Sequence, residues 1–427
     1  MSKPRPGTPQ VHELIHDWNL LEAFVPTKRV ELNDETLRDG LQSPSVTDPP
    51  IEDKLAILHL VAALGIEAAN IGLPGAGPRV REDTERLARE IAEQRLPILP
   101  NCAARTVITD IEPIVEISQR TGIAIEAATF LGSSPIRRYA EGWELDQLLR
   151  LTEQAVSFAV EHGLPSMYVT EDTTRTDPET LRRLYSTAIR CGARRIVVCD
   201  TVGHATPDGV RALVRFVAGI VRESGEPVAI DWHGHNDRGL GLVNALAAIE
   251  AGADRVHGCA LGIGERCGNT AMDQLLVNLA LLGWRPAGDL SRLPEYCERV
   301  ARACQVPIPH NYPVVGRDAF ETGTGVHAAA VIKAFAKGDA WLANRVYSGV
   351  PADLVGREQR IVLGPMSGRS NVLWVLRRLG LPDDEATVAR VFEAAKRARR
   401  NLSDDEVRLL AEPERAPLDA WQHYQVS

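Results

Sequence analysis

An apolar run, Val228-Ala229-Ile230, leads into Asp231-Trp232-His233-Gly234-His235-Asn236-Asp237 and is followed by Arg238-Gly239 and a helical pattern. The pattern predicts a buried strand that ends in a site. Side chains alternate across a strand, so His233 and His235 face the same way. Two imidazoles on one face suit a divalent metal such as zinc or manganese. Two hydrogen-bonded structural histidines carry the same pattern, because neutral imidazole serves both purposes. Which reading holds depends on the donors that the fold brings alongside.

From Lys28 onward the chain alternates short apolar runs with amphipathic stretches. Strands are expected at Arg29–Leu32, Ala68–Gly72, Ile98–Ala103, Ala124–Phe130, Ser166–Thr170, Arg195–Cys199, Val228–Trp232 and Arg255–Ala260. A helix is expected after each. Pro178 and Pro207 stand near helix starts, and Gly65, Gly122, Gly163, Gly192 and Gly252 follow helix ends. Eight strand and helix units imply an α/β fold, a closed parallel (β/α)8 TIM barrel over residues 28–285. An open doubly wound sheet would carry a Gly-rich phosphate turn after the first strand. Here that turn is the charged Asn33-Asp34-Glu35-Thr36-Leu37-Arg38-Asp39-Gly40. Residues 1–27 read as a polar tail, Met1–Gln10, and a covering helix, Val11–Phe24. Residues 286–427 read as a mainly helical C-terminal appendage, a lid or set of subdomains, with a loose tail after Glu412.

The chain has 427 residues, 44% hydrophobic and 25% charged, with a net charge of -9. That balance argues against nucleic acid and anionic membranes as partners. Seven scattered cysteines form no Cys-x-x-Cys pair and point to free thiols in a reducing compartment. The opening MSKPRPGTPQ carries no apolar signal region, and no apolar run is long enough to span a bilayer, so a cytoplasmic location is expected.

In a parallel barrel, residues just past the strand C-termini converge on one face. There the sequence offers Arg38, Asp39 and Gln42, then Arg105, then Ser133, Ser134, Arg137 and Arg138. Glu171 and Asp172, Asp200 and Thr201, His233 and His235, and the loop from Gly262 to Asn269 follow. A carboxylate, a histidine pair and an amide are thus placed to share a metal, with arginines nearby. A structural salt-bridge network could use the same residue types, but joint placement at strand ends favours a site.

The segments Asn33–Gly40, Thr170-Glu171-Asp172, Asp200-Thr201-Val202-Gly203, His233-Gly234-His235-Asn236-Asp237 and Gly262-Ile263-Gly264-Glu265-Arg266-Cys267-Gly268-Asn269 occur in register across the barrel. Together they resemble the signatures of the acetyl-CoA-dependent 2-isopropylmalate, homocitrate and citramalate synthases. These belong to the wider metal-dependent group that includes 3-hydroxy-3-methylglutaryl-CoA lyase. Gly323-Thr324-Gly325-Val326-His327-Ala328, Val355-Gly356-Arg357-Glu358 and Val362–Gly368 extend the resemblance into the appendage. It implies an acyltransferase that condenses acetyl-CoA with a 2-oxo acid. Asp39, His233 and His235 would hold a divalent ion (zinc, manganese or magnesium), with Asn269 a further contact. Arg38 would meet the ketone oxygen and Thr201 the substrate carboxylate. Glu171 and His327 would handle the protons of the acetyl group, His327 reaching a neighbouring active site in a homodimer. Gln42, Arg105, Ser134, Arg137 and Arg138 would complete the substrate-binding set.

Departures from the family pattern are specific. Leu41 stands where the synthases have Glu and is closer to the lyases; Pro365-Met366 replaces a Lys-His pair; Cys267 replaces Ala. Cys267 is expected to be structural, a small buried residue, and not the lyases' catalytic cysteine. The chain ends before the leucine-sensing domain of long isopropylmalate synthases, so feedback by that route is not expected. A lyase is the rival reading; the Gly264-Glu265-Arg266 loop and His327 oppose it, Leu41 favours it. A scaffold without catalysis fits poorly with Asp39, His233, His235 and Glu171 all present. An inward Arg137 or Arg138 would bind a second carboxylate through its planar fork, favouring a 2-oxo dicarboxylate. Pairing with Glu141 and Glu144 is the competing role for both arginines.

Overall fold

The computed structural model describes residues 14–20, 23–286 and 288–412. Eight strands close a parallel barrel: β1 (Glu31–Asp34), β2 (Ala68–Asn70), β3 (Leu99–Arg105), β4 (Glu126–Gly132), β5 (Ser166–Glu171), β6 (Arg195–Asp200), β7 (Ala229–Gly234) and β8 (Arg255–Gly258). Closure comes from β1, which pairs with both β2 and β8. Around them lie α1 (Ile51–Ala63), α2 (Pro78–Gln94), α3 (Ile108–Thr121), α4 (Pro135–Glu141), α5 (Leu145–Glu161), α6 (Pro178–Arg190), α7 (Pro207–Ser224), α8 (Gly241–Ala251) and α9 (Met272–Leu281).

Local chemistry starts these helices where they start. Asp177 accepts from the Thr180 amide and Thr206 from the Gly209 amide, each followed by Pro at the first helical position. These caps satisfy amides that a helix leaves orphaned. The inner stripe of α6, Leu181, Leu184, Tyr185 and Ala188, is buried against the sheet. Alternation along the strands then separates two interiors. Outward residues such as Ile196, Val198 and Trp232 join the main apolar core under the helices. Inward Ala128, Met167, Val197 and Cys199 form a small cluster inside the barrel. The barrel floor is charged: Arg255, 1% exposed, bonds Asp231 at 2.6 Å and Glu126 at 2.8 Å, and Arg195 bonds Asp231 at 2.6 Å. Burial opposes ionisation of Asp231, but Arg255, Arg195 and His257 hold its carboxyl well below the usual range.

Some elements differ from the sequence expectation. β3 and β4 run two residues further than their apolar runs, because the ladder continues through Arg105 paired with Phe130 and Gly132 paired with Glu171. The loop after β4 contains α4, which buries none of its residues and so has no apolar stripe to betray it. Met1–Gln10, the first part of the Val11–Phe24 helix and the tail after Glu412 lie outside the described residues. Among residues 14–20 Leu14 is helical, the backbone then leaves the helix, and a 3₁₀ turn follows at Trp18–Leu20, with Leu14, Ile15 and Trp18 exposed.

The main core continues past the barrel. α10 (Leu293–Ala303) packs on α1 and buries Tyr296, whose hydroxyl donates to Asp34. Beyond it, β9 (Glu321–Thr322) pairs in parallel with β10 (Arg360–Ile361), and α11 (Gly325–Ala336) and α12 (Ala340–Ala343) lie between them in the chain. α13 (Arg369–Arg378), α14 (Glu385–Arg397) and α15 (Asp404–Ala411) enclose a separate small core of Leu363, Val372, Leu376, Val388, Val391 and Leu410.

One buried carboxyl predicts a pH effect. Burial raises Asp273 to about 6 despite the Leu261 amide bonded to it at 2.8 Å, and its second oxygen has no partner among the described residues. A raised folded pKa contributes stability that is present below the unfolded value and lost as pH rises through about 6. Asp273→Asn should therefore gain on the native protein by about 2–3 kcal/mol between pH 4 and pH 7.5. Urea midpoints at the two pH values measure this, and an equal difference at both refutes it.

Candidate active site

The C-terminal mouth of the barrel opens into a cavity of about 240 Å³. β7 delivers His233 and the residue after its end delivers His235. Their Nε2 atoms lie 3.3 Å apart, and His235 Nε2 is 3.6 Å from Asp39 Oδ2. Asp39 stands at the start of the short turn Gly40–Gln42 that follows β1. Its position depends on Arg38, which donates from Nη1 to Asp39 at 2.8 Å and from Nη2 to Glu35 at 2.5 Å.

Burial pushes both imidazoles below their ordinary value, with Asp39 pulling the other way, so His233 and His235 are neutral. Burial would raise Asp39, yet the Arg38 guanidinium, helped by the Asn269 amide, holds it below the usual carboxylate range. One ionised carboxylate and two neutral imidazoles, with donor atoms all within 4.8 Å of one another, form a ready ligand set. Among the described residues His235 Nδ1 and Asn269 Oδ1 are buried without a partner, while Asn269 Nδ2 donates to Asp39. Orphaned polar atoms around such a set fit a site built for a cation. Glu35, His233 and His257 make a second such group sharing His233. However, both ring nitrogens of His257 are engaged, with Asp231 at 3.0 Å and Glu35 at 3.2 Å.

Asn269 reaches Asp39 because Gly264 leaves room. Gly264 has φ +150, and a Cβ there would stand 2.1 Å from Asn269 Nδ2 and 3.3 Å from Asp39 Oδ2. Gly264→Ala is expected to cut kcat/KM by about 100-fold or more, since displacements near 1 Å at a catalytic centre have that effect. Steady-state kinetics with a thermal melt checks this; native kinetics in the variant would show that the approach is unimportant.

The other residues singled out from the sequence divide into two groups. Arg38, Gln42, Glu171, Thr201, His233 and His235 line the cavity with Asp39. Thr201 Oγ1 accepts from the Asp172 amide at 2.8 Å, which leaves its own hydrogen to donate. Burial raises the Glu171 carboxyl against the pull of Arg137. Arg105, Ser134, Arg137, Arg138 and His327 lie off the cavity wall. Arg105 is exposed and paired with Asp110 at 2.7 Å. Ser134 caps α4 and bonds Asp172. Arg137 pairs with Glu141 at 2.8 Å, approaches Glu171 at 3.7 Å and lies 5.5 Å over the Trp143 ring. His327 is exposed on α11 and stacks on Tyr347, ring centroids 4.2 Å apart. Cys267, expected to be buried, is exposed. It sits between Arg266 and Gly268, both with positive φ, in a loop that turns outward.

Inward residues missed from the sequence include Glu35, Asn70, His257 and Cys199. Glu35 is buried, and Arg38 and His257 overcome that burial to keep it ionised. Cys199 pairs with His233 in the sheet, and burial pushes its thiol well above the ordinary value. The alternation that picked out His233 would also have flagged Cys199, one strand across. His257 needed the β8 register, paired through Asn33 on β1.

The family model described as HMGL-like matches residues 29–300, the whole barrel and most of α10. The chain belongs to the HMGL-like family. Within this family it is similar to a homocitrate synthase of Methanopyrus kandleri, 33% identical over 391 residues, 91% of either chain. A probable 2-isopropylmalate synthase of Ignicoccus hospitalis is 32% identical over 372 residues, 87% of this chain and 88% of that one. The resemblance read from the motifs therefore holds, and this HMGL-like chain is an enzyme of acyltransferase type. Among solved structures, the HMG-CoA lyase of Bacillus subtilis superposes with a TM-score of 0.56 at 20% identity, covering 67% of this chain and 98% of that one. At that identity the likeness is one of fold alone.

Proposed function

We propose that the protein condenses acetyl-CoA with a 2-oxo acid at a divalent ion held by Asp39, His233 and His235, with Asn269 beside them. One observation carries this: two neutral imidazoles and one ionised carboxylate converge next to a half-buried arginine at the mouth of a synthase-family barrel. A zinc, manganese or magnesium ion bound there would polarise the ketone as a Lewis acid. Arg38, kept cationic by Glu35 and Asp39 against the cost of burial, supplies fixed positive charge where the ketone oxygen becomes an alkoxide. Thr201 donates its hydroxyl hydrogen to the substrate carboxylate. Glu171, with its raised carboxyl, exchanges a proton at the acetyl methyl together with His327 of the partner subunit in a homodimer. Residues 286–427 serve as the lid that carries His327, and residues 28–285 as the catalytic barrel. Free cysteines throughout fit a cytoplasmic enzyme, and among the described residues no helix is long and apolar enough to cross a membrane.

The test follows free thiol while the metal-loaded protein is incubated with acetyl-CoA and a panel of 2-oxo acids, with product mass as confirmation. Thiol release that needs both substrates and the metal is expected. Cleavage of a 3-hydroxyacyl-CoA without any condensation would favour a lyase instead.

A further inference from the structure

We infer that the 2-oxo acid is a monocarboxylate with an apolar side chain, not a dicarboxylate; this rests on the condensation proposed above. Asp39 follows β1, and His233 and His235 come from β7, so the reacting ketone is held on that side of the cavity. The wall across from it is built by inward positions of β3 to β6: Ala103, Ala128, Phe130, Met167, Val169 and Val197. None of these six can accept or donate a hydrogen bond to a carboxylate through its side chain; of the polar lining on the same strands, Glu171 repels a carboxylate and the buried Cys199 thiol is only a weak donor. Phe130 and Val169 are half-buried, so part of their surface is left for a ligand to cover.

Charge points the same way. Glu35, Asp39, Glu171 and Glu265 line the cavity, and among the described residues Arg38 is its single arginine or lysine. Arg38 gives one N–H from each terminal nitrogen to Glu35 and Asp39, so its charge is already offset by carboxylates. The two arginines that could have met a second carboxylate do not reach the wall. Arg137 pairs with Glu141 at 2.8 Å and stands 3.7 Å from Glu171, its Nε without a hydrogen-bond partner among the described residues, and neither it nor Arg138 belongs to the cavity lining. This reverses the preference drawn from those arginines in the sequence. A second carboxylate would lose its hydration against apolar carbon with no cation to replace it. A branched or straight aliphatic chain instead buries its own surface there.

The experiment compares kcat/KM of the metal-loaded enzyme for 2-oxobutyrate and 2-oxoisovalerate with that for oxaloacetate and 2-oxoglutarate. Calorimetric binding of the same four acids without acetyl-CoA runs alongside. We expect at least about a 100-fold preference for the monocarboxylates and the same order in binding. Val169→Lys should shrink that ratio by 10-fold or more (~1.4 kcal/mol). Phe130→Leu, a milder change, should shift preference towards longer aliphatic acids. Arg137→Ala should leave the ratio of mono- to dicarboxylate unchanged. A native preference for either diacid, or a ratio that collapses in Arg137→Ala, overturns the inference. If no acid turns over, the condensation fails, and binding decides the rest. Tighter binding of the monocarboxylates upholds the apolar site, and any other order refutes it.

Discussion

His233→Ala is expected to abolish metal retention and turnover together. The native protein should carry about one divalent ion per chain and the variant under a tenth of that, by elemental analysis after gel filtration. Lewis-acid stabilisation amounts to several kcal/mol, so kcat/KM should fall by about 1,000-fold or more, roughly 4 kcal/mol. A readout independent of activity comes from linkage. An ion that binds only the folded chain raises its stability with concentration. Added metal should therefore raise the Tm of the native protein and not of the variant. His233 belongs to both candidate groups, so His235→Ala separates them. If the ion sits with Asp39, His235→Ala also loses it. If it sits with Glu35 and His257, His235→Ala keeps it. Full metal content and full turnover in His233→Ala would end the metal assignment altogether.

Two inactive chains should restore each other. His327 does not line the cavity of its own chain; it follows Val326, 74% exposed, and stacks on Tyr347, 47% exposed. An exposed imidazole among exposed apolar residues fits a group that works against a second copy in a two-fold assembly. His327→Ala and Asp39→Ala should each retain under about 1% of native kcat, because general acid–base groups and metal sites each contribute factors of 100 or more. Mixed, unfolded and reassociated in equal amounts, they should recover about one quarter of native activity. Half of the dimers are then hybrid, and each hybrid holds one intact site of two. Circular dichroism and light scattering verify folding and assembly. A monomeric native enzyme, or a mixture as inactive as its parts, would contradict the trans arrangement.

Much of the architecture was legible along the chain because it rests on local periodicity. Runs of four to six apolar residues, alternating with stripes that recur every three to four, can only be buried strands and packed helices. The capping residues Asp177 and Thr206, each before a Pro, mark helix starts by satisfying amides within a few residues. His233 and His235 were legible for the same reason, since the period of two fixes their common face. Even the failures follow this rule. Helix α4 buries nothing, so it carries no stripe. Ile15 and Trp18 have apolar spacing but no surface here to cover.

Sequence by itself thus determined the barrel, the order of its strands and the polar residues at their ends, all of which depend on neighbours in the chain. Tertiary structure alone decided what those residues do to one another. Glu35 and His257 meet across the β8–β1 closure, over 222 positions of sequence, and Arg137 turns to Glu141 and Glu171 rather than inward. The apolar wall has the same origin. Ala103, Phe130, Val169 and Val197 come from four strands, and each faces the cavity only because ring closure and register set which parity points in. Local patterns tell a side chain which face it shares; only the closed sheet tells it what lies opposite.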